Sequence, residues 1–261
     1  MADQQENHRR LIVEQFTRQA VPFAQMPIHS DQASNRLVLE TIGIQPTDTV
    51  LDVACGPGLI TCAVAEIGRH VTGIDITPAM IEQASQRQRA KRLTNMSWFV
   101  GDVQALPFAG GSFSAVITRY SFHHFLEPQV VFQEMVRVCQ LGGKVAVVDV
   151  FTSSPEQGAA YDRMEKLRDP SHVRALALDE LTGMFVAARL QHVRNVFYRL
   201  DVGLEELLAA TRTESQPADT VRQIFENDLG QDQLGVGAYR QDGQIRFAFP
   251  IVIVTGKTPE T

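Results

Sequence analysis

Between residues 49 and 150 the chain alternates short apolar runs with stretches of helical period. TVLDVA (49–54), HVTGID (70–75), MSWFVGD (96–102), SFSAVITR (112–119) and KVAVVDV (144–150) each read as a buried strand. Residues 59–67, 78 to about 91, and 128–139 read as helices. Thr77-Pro78 caps the second of these, proline being suited to the first helical position, and Gly142-Gly143 ends the third. This rhythm predicts an α/β fold, a doubly wound and mainly parallel sheet. Residues 1–45 read as helical, with Leu11, Ile12, Phe16 and Ala20 on one stripe. Pro22 and Pro27 predict a break, and Ser30-Asp31 a cap for a second helix through Ile42. After 151 the rhythm loosens. Residues 155–168, 178–190 and 203–228 look helical, and 192–200 and 245–256 strand-like, with Pro250 favouring an edge or bulge. A helical insertion before the last strand follows. Without an internal repeat or low-complexity linker, one domain is expected: a helical cap (1–45), a core (46–150), and substrate-side helices with closing strands (151–261).

Composition narrows the class. The chain has 261 residues, 44% of them hydrophobic and 21% charged, as in ordinary globular proteins. A net charge of −6 gives no electrostatic footprint for nucleic acid. No apolar run approaches the roughly 20 residues that span a bilayer, and the N-terminus lacks a signal-peptide core. Three cysteines without a CxxC pair suggest a reducing compartment and no metal site, so a cytoplasmic protein is expected.

Three of the strands end in acids, Asp52, Asp75 and Asp102, and the first opens into the turn Cys55-Gly56-Pro57-Gly58. Gly56 and Gly58 leave out side chains where a backbone turns sharply and approaches a ligand. Such a crevice suits a nucleotide-sized ligand. The nicotinamide fingerprint GxGxxG would need glycine or alanine at Thr61, and it leaves Asp52 and Asp102 idle. S-adenosylmethionine fits the acids better. A carboxylate after strand two can accept both ribose hydroxyls, and one after strand three the adenine amine. Ile76, Met80 and Val103 can sandwich the ring.

LDVACGPG, GIDIT, GDVQALPF, FSAVITRYSFHHF and VRVCQLGGKVAVVD resemble the class I, Rossmann-like methyltransferases of the ubiquinone/menaquinone (UbiE-type) group. LRDPSHVR (167–174) and the closing strand look like a bacterial branch typified by the YcgJ protein. The resemblance implies that Asp52, Gly56 and Gly58 hold the methionine end, Asp75 the ribose, and Asp102 with Val103 the adenine. Ala54 departs from the glycine common among relatives, and Pro57 from their threonine.

The reacting side is read from RYSFHHF, Arg119 to Phe125, at the crevice mouth. His123 and His124 are the general-base candidates; as neighbours they should point different ways, so one is expected to face substrate. Tyr120 can bind cofactor or substrate, or pack. Arg119 can hold an anionic substrate or pair with a nearby acid. His172, with Arg168 and Arg174, belongs either to a substrate-recognising loop or to a turn pairing Asp169 with Arg174. Phe16 and Phe23 can place the N-terminal helix over the cofactor as a lid, or pack on the sheet. The cysteines cannot readily form the thiolate trio that arsenic methylation needs.

The reading is a methyltransferase that uses S-adenosylmethionine, leaves S-adenosylhomocysteine and needs no metal. It would methylate carbon or oxygen of a small aromatic or quinone-like metabolite, as a monomer or homodimer. The alternatives are a S-adenosylmethionine- or nucleoside-binding protein without transferase activity, and an NAD-dependent oxidoreductase.

Overall fold

A computed structural model describes residues 2–25 and 32–260. Along the first half, β1 (Thr49–Val53), β2 (His70–Asp75), β3 (Met96–Val100), β4 (Phe113–Arg119) and β5 (Cys139–Thr152) alternate with α3 (Leu59–Ala65), α4 (Pro78–Lys91) and α5 (Pro128–Val138). α1 (Ala2–Gln25) and α2 (Gln32–Ile42) precede them. α6 (Pro155–Arg168), β6 (Leu176–Ala177), α7 (Leu178–Ala187), β7 (Gln191–Gly203), α8 (Leu204–Ala210), α9 (Ser215–Asp228), β8 (Tyr239–Gln241) and β9 (Gln244–Lys257) follow.

The main sheet runs β3-β2-β1-β4-β5-β9-β7, with β6 pairing β5 and β8 pairing β9. β1 to β5 are parallel, and β9 is antiparallel to both β5 and β7. Alternate residues of the strands supply two cores. Val50, Ile117 and Val148 pack toward Met164 and Phe225, and Leu51, Val116 and Val147 toward Phe132 and Phe185. A sheet buried on both faces needs near-continuous apolar strands, which is what the sequence carries. The helical insertion before the last strand is α8 with α9.

Several expectations shift. Pro22 lies inside α1, in its final turn, where only one helical hydrogen bond is lost. Pro27 and the Ser30-Asp31 cap lie outside the described residues. Gly142-Gly143 falls within β5, at a register shift against β4. Pro250 sits between β5 and β7 in the sheet order. β5 pairing ends at Val150 opposite Ile251, so its missing N–H faces an edge that β5 has already left. The helical stretch 203–228 is two helices.

Ala54, Gly56 and Gly58 all adopt positive φ, of 54°, 52° and 73°. This left-handed run turns the chain from β1 into α3, and Ala54 bears it with a Cβ. A Cβ on Gly58 would stand 2.9 Å from both the Ala84 Cβ and the Trp98 ring. Gly58→Ala should therefore cost about 2–4 kcal/mol, combining left-handed strain with overpacking. Ala54→Gly exchanges strain relief for chain entropy and should lie within about 1 kcal/mol of wild type, on the stable side. Urea unfolding checks both; a Gly58→Ala protein as stable as wild type contradicts the packing argument.

Candidate active site

β1 and β4 are neighbours whose following connections diverge, and the crevice of an open α/β sheet lies at such a switch, beyond the carboxyl ends of the strands. A cleft opens there. Asp52, Gly56, Asp75, Ile76, Met80, Asp102 and Val103 all line it. Gly58 does not; its bare α-carbon serves the packing of the turn against α4 and Trp98.

Asp52 is fully buried. One of its oxygens accepts a 2.5 Å hydrogen bond from the Thr61 hydroxyl, and the other, Oδ1, is buried without a partner. Burial pushes its pKa up to about 7, against the pull of Thr61 and Arg119 and with the help of Asp75. Thr61, which counted against a nicotinamide site, thus holds the first acid. Asp75 accepts from the Gly56 N–H at 2.9 Å and the Thr77 N–H at 2.8 Å. Burial raises its pKa despite both bonds. Each oxygen keeps a further lone pair. Asp102 accepts from the Gln104 N–H at 2.9 Å, and its other oxygen pairs with the Arg9 guanidinium. Three acceptor-only groups around one cleft, one with an unfilled buried oxygen, fit a ligand rich in donors. An ammonium, two ribose hydroxyls and an exocyclic amine are such a set.

α1 covers the cleft. Gln5, His8, Arg9, Ile12 and Phe16, at helical spacing, all line it. His8 Nε2 lies 2.7 Å from the His124 carbonyl, and Gln19 donates to the Thr211 carbonyl. Arg87 of α4 donates to the Ala24 and Pro57 carbonyls, tying the end of α1 to the glycine turn. The side chain of Phe23 lies outside the described residues.

A second cavity shares Phe16, Tyr120 and His124 with the cleft. Val150, Leu200, Leu207, Phe249 and Ile251 make it apolar on one side, and His123, Asp149, Glu165, Arg168 and Asp169 make it polar on the other. The two histidines differ sharply. His123 Nδ1 donates to Asp149 Oδ1 at 2.6 Å, since the ionised carboxylate only accepts; Nε2 is then the free base. Burial opposes the imidazolium, but the Asp149 carboxylate prevails and raises the His123 pKa; burial likewise opposes the Asp149 carboxylate, and His123 pulls its pKa down. His124 is pushed down to about 3 by burial and by His123. Its Nδ1 faces the Ser171 carbonyl at 3.1 Å and the Ser171 hydroxyl, whose own proton goes to Asp169 at 2.6 Å. Nδ1 is therefore the protonated nitrogen of a neutral ring. Both rings line the second cavity, and only His124 reaches the cleft.

Tyr120 holds a positive φ of 58° and its hydroxyl lies 2.6 Å from that of Tyr198. Such a conformation in a bulky residue is strained and concentrates at sites of function. Arg119 lines the cleft beside Asp52 and not the second cavity; it donates to Asn35 and lies over the Tyr120 ring. His172 lines neither space. It is buried, with Nε2 at 2.7 Å from Asp162. Arg174 pairs with Glu180 rather than with Asp169, while Arg168 pairs with Glu165 on the cavity wall. His8, Arg9, Asp149 and Tyr198 were not singled out by the sequence. An acid inside the otherwise apolar run of strand five was the one available signal, for Asp149.

Among the described residues no group of three His, Cys, Asp or Glu is placed to hold a metal, and no helix is long and apolar enough to cross a membrane. Cys55, Cys62 and Cys139 are free and buried; burial lifts Cys62 to about 11 and Cys139 to about 12, which keeps them as thiols.

Residues 51–147 match the family described as a methyltransferase domain. The chain is 27% identical over 248 residues to YcgJ of Bacillus subtilis, named as an uncharacterized methyltransferase, covering 92% of this chain and 96% of that one. It is 34% identical over 114 residues to a demethylmenaquinone methyltransferase of Renibacterium salmoninarum, covering 44% and 46% of the two. The crystal structure of Bacillus subtilis YcgJ superposes with a TM-score of 0.80 at 24% identity, over 88% of this chain and 99% of that one. The strand-end acids, the glycine turn and these likenesses converge: the chain belongs to the class I, S-adenosylmethionine-dependent methyltransferases and is YcgJ-like.

Proposed function

We propose that the enzyme methylates an oxygen or carbon of a small, largely apolar metabolite, aromatic or quinone-like, bound in the second cavity. The carrying observation is the His123–Asp149 pair on the wall of a cavity that shares Phe16, Tyr120 and His124 with the cofactor cleft. S-adenosylmethionine supplies an electrophilic methyl on a sulfonium and leaves as S-adenosylhomocysteine. On the cofactor side, Asp52 and Arg119 take the methionine end, Asp75 the ribose, and Asp102 with Val103 the adenine, with Ile76 and Met80 against the ring. Val150, Leu200 and Phe249 hold the acceptor by excluding water, so that reacting atoms meet in one orientation. His123 Nε2 takes the proton that the acceptor hydroxyl, or the ring carbon after attack, gives up. Asp149 keeps the ring in the right tautomer and stabilises the imidazolium, a role carboxylates play beside catalytic histidines. His124, neutral, shapes the passage between the two spaces.

Transfer of labelled methyl to a panel of phenols and quinols tests the proposal; turnover confined to large anionic or macromolecular acceptors overturns it. The base gives a pH signature. His123 must be neutral to accept a proton, and its pKa is raised, so kcat/KM should climb with pH through a value above 6.5. Asp149→Asn removes the charge that raises it and should move that limb to lower pH while lowering the plateau by about 10²–10⁴-fold. An unmoved limb would contradict the assignment.

Cofactor affinity has its own pH signature. Asp52 is raised to about 7 in the free protein, so it destabilises the ligand-free fold progressively as pH climbs from about 4 to about 7. A ligand ammonium beside it favours the carboxylate. S-adenosylhomocysteine should therefore bind more tightly as pH rises, by up to about tenfold per unit, and level off above about 7. Asp52→Asn should flatten that profile. Calorimetry between pH 5.5 and 8 measures it, and a flat wild-type profile would falsify the pairing.

A further inference from the structure

The guanidinium of Arg9 sits at the adenine end of the cleft, on the helix that covers it. One terminal nitrogen pairs with Asp102, the other lies 3.8 Å from Glu6, and Nε is buried with no hydrogen-bond partner. A buried donor on a charged group that lacks an acceptor is costly. The Arg9–Asp102 pair is itself about a third exposed, and pairs of that kind contribute little. Clamping the helix therefore does not account for a buried, unfilled Nε–H. Arg9 lines the cleft beside Asp102, and turning the guanidinium toward an acceptor bound there would.

The two side chains together present a carboxylate acceptor beside a guanidinium donor. A 6-aminopurine presents the complement, an amine donor beside the bare N1 acceptor; a 6-oxopurine reverses both, with a carbonyl acceptor beside a protonated N1. We propose that Arg9 is a cofactor-binding residue that, with Asp102, reads the base: Asp102 takes the exocyclic amine and Arg9 Nε–H the ring nitrogen N1. The inference rests on the S-adenosylmethionine reading of the cleft and goes beyond it. It assigns base selection to a residue of the N-terminal helix, outside the matched methyltransferase domain. α1 is then part of the binding site as well as its cover, and the site is complete only when the helix is down.

The test compares S-adenosylhomocysteine with S-inosylhomocysteine, in which the amine is a carbonyl, by calorimetry. Wild type should prefer the adenine ligand. Arg9→Met keeps the apolar stem and removes the donors; its Kd for S-adenosylhomocysteine should rise about tenfold, equivalent to about 1.4 kcal/mol. Its preference for adenine over hypoxanthine should shrink by a similar factor. Arg9→Lys, which retains the charge but not the fork, should fall between the two. Arg10→Ala, on the exposed side of the helix and paired with Glu14, should change neither affinity. Equal weakening of both ligands in Arg9→Met would mean that Arg9 only closes the helix, and no change in either would remove it from the site; both overturn the proposal. Failure of wild type to bind S-adenosylhomocysteine at all is a separate outcome and sinks the cofactor reading beneath it.

Discussion

The amides of Gly56 and Thr77 both donate to the Asp75 carboxylate, and through it the turn after β1 is tied to the first turn of α4. An acid with an 8% exposed residue surface has to satisfy its oxygens inside the protein. Doing so with two backbone donors from different connections fixes the spacing between β1 and β2 at their carboxyl ends. The left-handed run at Ala54, Gly56 and Gly58 exists to bring the Gly56 N–H to that oxygen while Trp98 fills the space beside Gly58 and Gly73. The cofactor cleft is the concavity beside this tie, and Asp52, one strand over, is fully buried in its lining.

Environment, more than residue type, divides the labour on either side of Tyr120. Asp52 and Asp149 both lie on central strands and are both buried, yet burial lifts Asp52 while His123 holds Asp149 down. His123 and His124 are adjacent in sequence with rings 4.2 Å apart, and they titrate in opposite directions because the Asp149 carboxylate outweighs burial at His123, while burial and His123 itself hold His124 down. The acid-base role proposed for His123 and the neutral role proposed for His124 follow the pattern of neighbouring titratable groups pushed apart by their surroundings.

Much of the cleft's lining is legible in the sequence. The acids at 52, 75 and 102 announce themselves because each ends an apolar run, and strand ends in a parallel sheet converge on one crevice. The fold order follows from the same alternation. What stayed hidden depends on contacts between distant segments. Arg9 and His8 lie in a polar N-terminal stretch that says nothing of what it covers. Tyr198 reaches Tyr120 only because β7 joins the sheet beyond β9. His172 looked like a recognition residue from its arginine-rich surroundings, yet Asp162, ten residues upstream on α6, holds it in the interior. Gly58 was read as making room for ligand, and it makes room for Ala84 and Trp98. Pairing partners, unlike strand ends, leave no periodic trace in one sequence.

The central claim is that the three acids form one cofactor site organised by Asp75. Titration calorimetry of S-adenosylhomocysteine into wild type and Asp75→Ala tests it most directly. The account predicts one site per chain in wild type and a loss of about 100-fold in the variant, the worth of two hydrogen bonds to a charged group at about 1.5 kcal/mol each. Unchanged affinity in Asp75→Ala, or tighter binding of NADH than of S-adenosylhomocysteine by wild type, would contradict it.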